Sequence, residues 1–413
     1  MSKKKFKGIS TTTLHTANHE NDNFSHTTPI YATSTFTFDS TEEGMERFKS
    51  DDKTRIYTRW GNPTFTAAQD VIAALEAHGI KNADGSPLEL IAYLHSSGQA
   101  AMSTLFLSNL SAGDTLISHY SLYGGTQELM QKILKEAGIK TVLVDVRDLK
   151  LLEQTIKENP TTKLIHLETP ANPTNHLFSL RMCSEIAKGL SKDENKVLLV
   201  VDNTYMGPIW QHPLELGADL VIYSATKYIA GHSDLIAGAV SGSKQLIQRV
   251  KVLRTFFGNL PSPNTGWLLM RSLETMKIRM EQQQANAKLI AQYLSKHPKV
   301  AKVYYLGLLE KGTAQWDIFN EQCKGEGAML SFDIVGGEKE AFAFLNHLKL
   351  IQLAVSLGST ESLAEHPATM THIDIPENEK KIMNITSSLV RLSVGVEHAD
   401  DLIADIEKAL EKV

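Results

Sequence analysis

The sequence contains few cysteines, no excess of positive charge and no long apolar run. Cys183 and Cys323 are the only cysteines among 413 residues. Neither lies in a CxxC or Cys/His spacing, so we expect no disulfide framework and no structural metal. A formal net charge of -5 gives no general attraction to nucleic acid or anionic lipid, and no window approaches the roughly 20 apolar residues that span a bilayer. These absences favour a protein of a reducing compartment, the cytoplasm, that binds neither nucleic acid nor membrane.

The start of the chain, MSKKKFK, is basic, but polar residues follow it and Glu20 and Asp22 come soon after. Because no apolar segment follows the basic start, we expect neither a secretory signal nor a transit peptide. Apolar residues make up 42% and charged residues 22% of the chain, which is typical of globular proteins. A chain of this length is expected to form two domains.

Short, nearly continuous apolar runs recur through the middle of the chain. They lie at residues 90–94, 115–118, 141–144, 164–167, 197–201 and 220–223. Such runs are typical of strands covered on both faces of a parallel sheet. Segments of helical length lie between several of them, at 126–137 and 149–158. The pattern predicts an α/β fold with a mostly parallel sheet, with ligands beyond the carboxyl ends of its strands.

The pattern changes after about residue 265, where a long helical stretch at 267–295 precedes strand candidates at 300–305, 328–334 and 390–394 and a final helix from about Ala399. We predict three parts: an N-terminal arm at 1–62 that contacts a neighbouring subunit, a large domain at 63–265, and a smaller α+β domain at 266–413. The arm is polar, rich in threonine and shows little periodicity.

The densest group of chemically capable residues lies between residues 197 and 234. Asp202 ends one predicted strand and Lys227 follows the end of another, so both should reach the same edge of the sheet. A buried carboxylate and a buried lysine are costly unless each has a partner. Pyridoxal phosphate (PLP) supplies both partners, because a lysine can hold it as a Schiff base and a carboxylate can keep its ring nitrogen protonated. Ser224 and Thr226 lie close enough to donate to its phosphate, although a surface lysine and a capping aspartate would also satisfy the pattern.

Three further motifs extend this interpretation. The SSGQAA turn around Gly98 and Gln99 joins a predicted strand to a helix, and its N–H groups suit a phosphate, although many such turns bind no anion. Tyr123, before two glycines, could stack on a flat ligand or simply pack in a tight turn. Asn172 follows another strand and could bind a ring hydroxyl or a carboxylate. Arg391 lies in an apolar strand, where its fork suits a substrate carboxylate or a structural salt bridge.

Together these motifs resemble the Cys/Met-metabolism family of PLP enzymes, the trans-sulfuration group. The resemblance runs from about Thr28 to Lys412. It rests on YTRWGNPT, ETPANPT, VDNTYMGP, SATKYIAGHSD, SLGSTESLAEHPATMTH and RLSVGVE. It implies the aspartate-aminotransferase-like fold (fold type I) and a homotetramer, a dimer of dimers with shared active sites.

The resemblance also implies a role for each matching residue. Lys227 would be the Schiff-base lysine and the base that moves protons, Asp202 would pair with the pyridinium, and Tyr123 would stack on the ring and exchange protons with the substrate. The other cofactor-binding residues would be Gly98, Gln99, Thr204, Ser224 and Thr226, with Tyr57 and Arg59 reaching the phosphate of the neighbouring subunit. The substrate carboxylate would be bound by Asn172, Ser356 and Arg391.

The family implies a carbon–sulfur lyase that eliminates a thiol from methionine or cystathionine, giving a 2-oxo acid and ammonia. Cystathionine β-lyase and γ-replacement enzymes (cystathionine γ-synthase, O-acylhomoserine sulfhydrylase) stay open as alternatives, because they share every residue named above. Gly125 stands where methionine γ-lyases typically carry cysteine, which favours cystathionine. Val355 stands where cystathionine γ-lyases usually carry glutamate, which favours methionine γ-lyases and sulfhydrylases.

Overall fold

The computed structural model describes residues 6–17 and 24–413. Most of the predicted basic start (residues 1–5) and the acidic Glu20 and Asp22 lie outside the described residues. The strands are β1 (Ile91–His95), β2 (Thr115–Ser118), β3 (Lys140–Leu143), β4 (Thr162–Glu168), β5 (Leu198–Asp202), β6 (Leu220–Tyr223), β7 (Gly238–Gly242), β8 (Val300–Tyr304), β9 (Met329–Ile334), β10 (Gln352–Leu353), β11 (Leu363–Glu365) and β12 (Leu389–Ser393).

The helices, in chain order, are α1 (Ile9–His15), α2 (Thr41–Lys49), α3 (Pro63–Glu76), α4 (Gly98–Asn109), α5 (Gly124–Glu128), α6 (Leu149–Glu158), α7 (Leu180–Leu190), α8 (Gly207–Trp210), α9 (Lys244–Phe257), α10 (Pro263–Glu274), α11 (Met276–Leu294), α12 (Ala314–Gln322), α13 (Glu338–His347), α14 (Glu377–Ile382) and α15 (Ala399–Leu410). A π-helical turn at Leu129–Leu134 continues α5.

The chain divides into two compact units. The first consists of the described residues up to Asn109 together with Leu220–Ala230 and Asp234–Lys277. The second consists of Leu110–Asp219, Gly231–Ser233 and Ile278–Val413. The segment predicted as an arm therefore includes two helices, α1 and α2.

In the first unit β7 pairs antiparallel with both β1 and β6. Helix α3 packs against β1 and α10, and α4 packs against β6 and β7. Helix α3 has an N-cap: the side chain of Asn62 accepts the N–H of Thr64. Pro63 occupies the first helical turn, where its missing N–H costs nothing. The buried face of α3 then covers the small sheet.

The second unit contains parallel strands in the order β5, β4, β2 and β3. Helices α6 and α7 cover one face and share with the strands a core of fully buried aliphatic side chains, among them Ile165, Leu199 and Leu180. Asp148 caps α6 by accepting the N–H groups of Lys150 and Leu151. Because β4 and β5 are parallel and in register, Glu168 lies opposite Asp202 at their carboxyl ends.

A separate sheet of the second unit has the order β10, β11, β12, β9 and β8. Its β11 and β12 are antiparallel, and their register sets Glu365 opposite Arg391. This sheet thus brings together two residues that are 26 positions apart in the sequence and of opposite charge.

The predicted strands agree with the structure to within a few residues at each end, but three details differ. Strands β7, β10 and β11 were not predicted, because two of the five residues of β7 are glycine and because β10 and β11 have only two and three residues. The helix predicted at 267–295 is two helices, which Thr275 separates with a non-helical backbone. The helix predicted at 126–137 begins at Gly124 and includes the π-helical turn.

The described residues also bear on two functions that the composition disfavours. None of the helices described at 6–17 and 24–413 is long and apolar enough to cross a membrane. In the same part of the chain, no three histidine, cysteine or acidic side chains are grouped so that they could hold a metal ion.

Candidate active site

The first candidate element is the 96–99 turn, which joins β1 to α4. Ser97 receives the N–H of Ala100 on its side-chain oxygen at 3.0 Å and the N–H of Ala101 on its carbonyl. Within the described part of the chain, the N–H groups of Gly98 and Gln99 have no such acceptor. The start of α4 therefore offers two main-chain donors and the positive end of a helix dipole.

Gly98 is required by a close approach to the turn after β6. A Cβ on Gly98 would lie 3.0 Å from the side-chain atoms of Ser224, so Ser224 would have to shift by a few tenths of an ångström to accommodate it. The structure thereby brings two of the predicted phosphate-binding residues, Gly98 and Ser224, into contact. Lys227 lies in the same turn, where its N–H donates to the carbonyl of Ser224 at 3.1 Å.

Thr226 is held differently from its neighbours. Its hydroxyl donates to the carbonyl of Ala237 at 3.1 Å and accepts the N–H of the same residue at 3.0 Å. This reciprocal pair fastens the turn to the start of β7. A phosphate contact through Thr226 would have to share that hydroxyl.

Two residues that the sequence did not single out, Arg254 and Asn259, bind the chain at the end of β1 and the start of the 96–99 turn. Arg254 is fully buried and donates its Nε–H to the carbonyl of Leu94 at 2.5 Å, while its guanidinium lies 5.5 Å from the centre of the Tyr93 ring. Among the described residues, its two terminal nitrogens have no hydrogen-bond partner. The carbonyl of Asn259 accepts the N–H of Ser96 at 2.8 Å.

Tyr57 and Arg59 lie in another part of the first unit. Arg59 extends over the rings of Tyr57 and Trp60 and donates to the carbonyl of Thr255 at 3.1 Å. The side chain of Tyr57 is 40% exposed. Both residues are therefore at a surface, and their predicted role toward a neighbouring subunit stays a prediction.

In the second unit, two carboxyl groups lie side by side at the carboxyl ends of β4 and β5. Asp202 accepts the N–H of Thr204 at 3.0 Å and its hydroxyl at 2.5 Å. Burial raises the pKa of Asp202 although both bonds to Thr204 lower it. Burial, followed by the charge of Asp202, raises the pKa of Glu168 as well. Like charges on neighbouring carboxyl groups repel, so ionisation of one disfavours ionisation of the other.

Asn172 and Arg391 form the next part of the second-unit cluster. Asn172 Oδ1 accepts from the hydroxyl of Tyr205 at 2.6 Å and from Arg391 at 3.1 Å. Arg391 also pairs with Glu365 at 2.8 Å, and both side chains are at least 96% buried. A second nitrogen of Arg391 donates to the carbonyl of Ser356 at 2.9 Å. Arginine has five N–H donors, so this arrangement leaves capacity for a substrate carboxylate.

Ser356 adopts an unusual backbone conformation, with φ at +101°. Only glycine adopts such a φ readily, so the strain at a serine is a sign of a functional constraint. The carbonyl oxygen of Ser356 accepts a hydrogen bond from the guanidinium of Arg391. The neighbouring Val355 is 54% exposed.

Tyr123 lies at the start of α5, and its side chain is 46% exposed. Its N–H donates to Glu168 Oε2 at 2.8 Å. The next residue, Gly124, cannot carry a side chain, because its Cβ would lie 2.6 Å from the carbonyl oxygen of Thr371. The aromatic side chain is thus exposed on a tightly fixed backbone.

The structure therefore brings most of the predicted site residues together within each unit. Gly98, Gln99, Ser224, Thr226 and Lys227 share two adjoining turns of the first unit, and Tyr123, Asn172, Asp202, Thr204, Ser356 and Arg391 share one cluster of the second. Sequence reasoning missed Glu168 and Glu365 as site residues. Glu168 ends its strand just as Asp202 does, and this signal could have identified it.

These features fit PLP. A dianionic phosphate suits the start of α4, where the N–H groups of Gly98 and Gln99 lie beside Ser224 and point along the helix dipole. The partly buried Asp202, whose pKa is raised by burial, is suited to a cationic N–H partner such as a protonated pyridine. An amino-acid carboxylate suits Arg391. The donor set of each unit thus matches one part of the cofactor or of its substrate.

Known proteins resemble this chain over nearly its whole length. An L-methionine γ-lyase of Fusobacterium nucleatum subsp. nucleatum is 41% identical over 411 residues, which cover 99% of each chain. A cystathionine γ-lyase of Bacillus subtilis is 39% identical over 358 residues, covering 86% of this chain and 89% of that one. The crystal structure of a cystathionine γ-lyase from Lactobacillus plantarum complexed with L-serine has a TM-score of 0.87 at 36% identity, covering 98% of this chain and 99% of that one.

Residues 10–411 match the family described as Cys/Met metabolism PLP-dependent enzymes. This match and the relatives confirm four predictions: the family, the α/β fold with a mostly parallel sheet, the enzyme class and the cofactor. The chain belongs to the Cys/Met-metabolism family of PLP-dependent enzymes.

Proposed function

We propose that this protein is a carbon–sulfur lyase that converts L-methionine and water to a thiol, ammonia and 2-oxobutanoate. The observation that carries the proposal is the identity of 41% to an L-methionine γ-lyase over 99% of each chain. The exposed, apolar Val355 beside Ser356 supports it, because an uncharged side chain suits the methyl thioether of methionine better than the charged distal end of cystathionine.

Cystathionine is the second candidate substrate. The cystathionine γ-lyase of Bacillus subtilis is 39% identical to this chain, and Gly125 stands where methionine γ-lyases typically carry cysteine. Cystathionine β-lyase and γ-replacement activities use the same residues and are outcomes of the experiment below.

Bound PLP would draw electrons from the substrate bonds at Cα, which is the chemistry that makes the elimination possible. Lys227 would hold the cofactor and, once released, remove the Cα proton and then move a proton at Cβ. Asp202, oriented by Thr204, would keep the ring nitrogen protonated. Gly98, Gln99, Ser224 and Thr226 would bind the phosphate.

The remaining residues would act on the substrate. Arg391, held by Glu365 and Asn172, would bind the α-carboxylate together with Ser356. Tyr123 would cover the ring and exchange a proton with the substrate or its leaving thiol. A fork of N–H donors fixes the carboxylate plane, so the Cα proton is directed toward the base.

The assembly and location are part of the proposal. We expect a homotetramer in which the arm at 1–62 packs on a neighbouring subunit and carries Tyr57 and Arg59 to its phosphate; the large and small domains would span 63–265 and 266–413. We expect the protein in the cytoplasm, since two unpaired cysteines suit a reducing compartment. Mass measured in solution by light scattering, with and without residues 1–62, tests the assembly.

One panel of substrates tests the reaction. The PLP-loaded protein is incubated with L-methionine, cystathionine, cysteine, or O-acylhomoserine plus sulfide, and 2-oxobutanoate, pyruvate, thiol and new thioether are measured. A kcat/KM for methionine at least tenfold above that for cystathionine supports the proposal. The reverse preference selects cystathionine, and thioether formation without 2-oxo acid overturns the lyase.

A further inference from the structure

Glu168 is a buried carboxyl group to which the family resemblance assigns no role. It ends β4, lies opposite Asp202 in the register of β4 and β5, and is 6% exposed. Its carboxyl accepts the N–H of Tyr123 at 2.8 Å and also the N–H of Asn172. A single side chain therefore holds the backbone of two residues that we place against the cofactor and the substrate.

The two loops held by Glu168 have little freedom elsewhere. The loop of Tyr123 continues into Gly124, which touches the carbonyl of Thr371 so closely that no Cβ fits. The side chain of Asn172 binds Tyr205 and Arg391. These contacts restrain each loop separately, whereas the hydrogen bonds of Glu168 connect the two and set the position of the Tyr123 backbone relative to Asn172.

The charge of Glu168 matters as well as its shape. The groups that face it are the partly buried Asp202 on β5 and the buried Arg391 on β12. Burial and the charge of Asp202 raise the pKa of Glu168, and they outweigh the N–H groups of Tyr123 and Asn172 and the charge of Arg391, which lower it. Asp202 accepts an N–H and a hydroxyl from Thr204, and a cationic partner would favour its anion further. These contacts favour the proton on Glu168 and the negative charge on Asp202.

We propose that Glu168 is a positioning residue of this active site, a neutral carboxyl that fixes Tyr123 and Asn172 and leaves the single negative charge to Asp202. This inference rests on the proposed function, because it assigns Glu168 to the same PLP-dependent reaction. It goes beyond it by naming a residue that acts through the neighbours it holds.

Two substitutions separate the shape of Glu168 from its charge. Glu168→Gln keeps an acceptor oxygen and matches the neutral acid in size, so we expect PLP affinity and kcat/KM for methionine within about threefold of the wild type. Glu168→Ala removes both acceptors, and misplacing catalytic groups by about 1 Å costs roughly 10²-fold. We expect it to lose about 10²-fold in kcat/KM and about tenfold in PLP affinity.

Asp219 offers a matched control. It is a largely buried carboxylate of the same unit that accepts the N–H of Leu199 at 2.8 Å, near the opposite end of β5. Asp219→Ala should lower the unfolding temperature as Glu168→Ala does, yet leave PLP affinity and kcat/KM near the wild-type values. An equal loss of activity in both variants would mean that general loosening, and not positioning, explains the effect.

Glu168→Asp keeps the charge but shortens the reach, and it decides the matter if the alanine variant does not fold. The proposal requires the Gln variant to be at least tenfold more active than the Asp variant. The reverse order, or a Gln variant as poor as the Ala variant, would overturn it, because the ionised carboxylate would then be needed. PLP affinity is measured without substrate, so a wild type that binds PLP but does not consume methionine refutes only the proposed substrate.

Discussion

The two units carry the proposed chemistry by different means. In the first unit the 96–99 turn presents main-chain N–H groups at the start of α4. The buried guanidinium of Arg254 binds the carbonyl of Leu94 in the preceding strand β1. In the second unit the cluster depends on buried side chains: Asn172 and Arg391 bind each other, and Glu168 accepts the main-chain N–H of Tyr123. A main-chain site tolerates most side chains outside its glycine, whereas a side-chain network depends on every member.

This contrast explains what the two units would recognise. Main-chain donors at a helix start bind a phosphate of fixed charge and shape. A network that contains two coupled carboxyl groups can retain or release a proton, which suits a ring nitrogen and a substrate that change their protonation during the reaction. We therefore expect substitutions in the phosphate-binding turns of the first unit to act mainly on cofactor affinity, and substitutions in the second unit to act mainly on turnover. Lys227 belongs to the first unit but would serve as both anchor and base, so its loss should affect both.

Lys227→Ala should have the largest effect, because it removes both the covalent anchor and the base. We expect turnover of methionine to fall by at least about 10²–10⁴-fold, the range for loss of a general base. The measurement is 2-oxobutanoate formation with saturating PLP. Turnover within tenfold of the wild type would contradict the role of Lys227.

Arg391→Leu should destabilise the second unit, because it leaves Glu365 buried without its cation. Removing one partner of a buried pair costs about 3–5 kcal/mol, whereas replacing both by apolar residues is close to neutral. The double variant Arg391→Leu/Glu365→Leu should therefore recover most of the stability measured by urea unfolding, but not the affinity for methionine. If the single variant loses less than about 1 kcal/mol of unfolding free energy, the buried ion pair does not stabilise the second unit as we describe.

Gly98→Ala probes the first unit. The added Cβ would lie 3.0 Å from Ser224, and overpacking of this kind costs about 1–3 kcal/mol. We expect PLP to bind about tenfold more weakly, with kcat at saturating PLP nearly unchanged. A fall in kcat with unchanged PLP affinity would contradict the division between the two units.

His95 gives the smallest predicted effect, on acid stability. Burial, and secondarily the charge of Arg254, lower its pKa to about 3, whereas an unfolded histidine titrates near 6.5. Below pH 6.5 the unfolded chain binds a proton at His95 that the folded chain does not. Each further unit of acidification therefore lowers the free energy of unfolding by about 1.4 kcal/mol, until the pH reaches the folded pKa. In urea unfolding at pH 6 and pH 5, His95→Gln should flatten this slope; an unchanged slope would show that His95 does not titrate as described.

The sequence predicted the first unit's turn and the ends of the parallel strands well. Gly98, Asp202 and Lys227 could be assigned to turns and strand ends because these are local patterns, and their roles in the reaction stay predictions. Strand β7 could not be predicted, because glycine is uncommon in strands. The pairing of Glu365 with Arg391 could not be predicted either. That pairing depends on the register of β11, a strand of three residues, and on burial that no local pattern encodes.

The central claim is that Lys227 carries the cofactor, and borohydride reduction of the PLP-loaded protein followed by peptide mass spectrometry tests it most directly. Reduction fixes the cofactor to the lysine that holds it. We predict a pyridoxyl mass on the peptide that contains Lys227, and its absence after Lys227→Ala. A pyridoxyl group on another lysine, or none on a protein that turns over its substrate, would contradict the account.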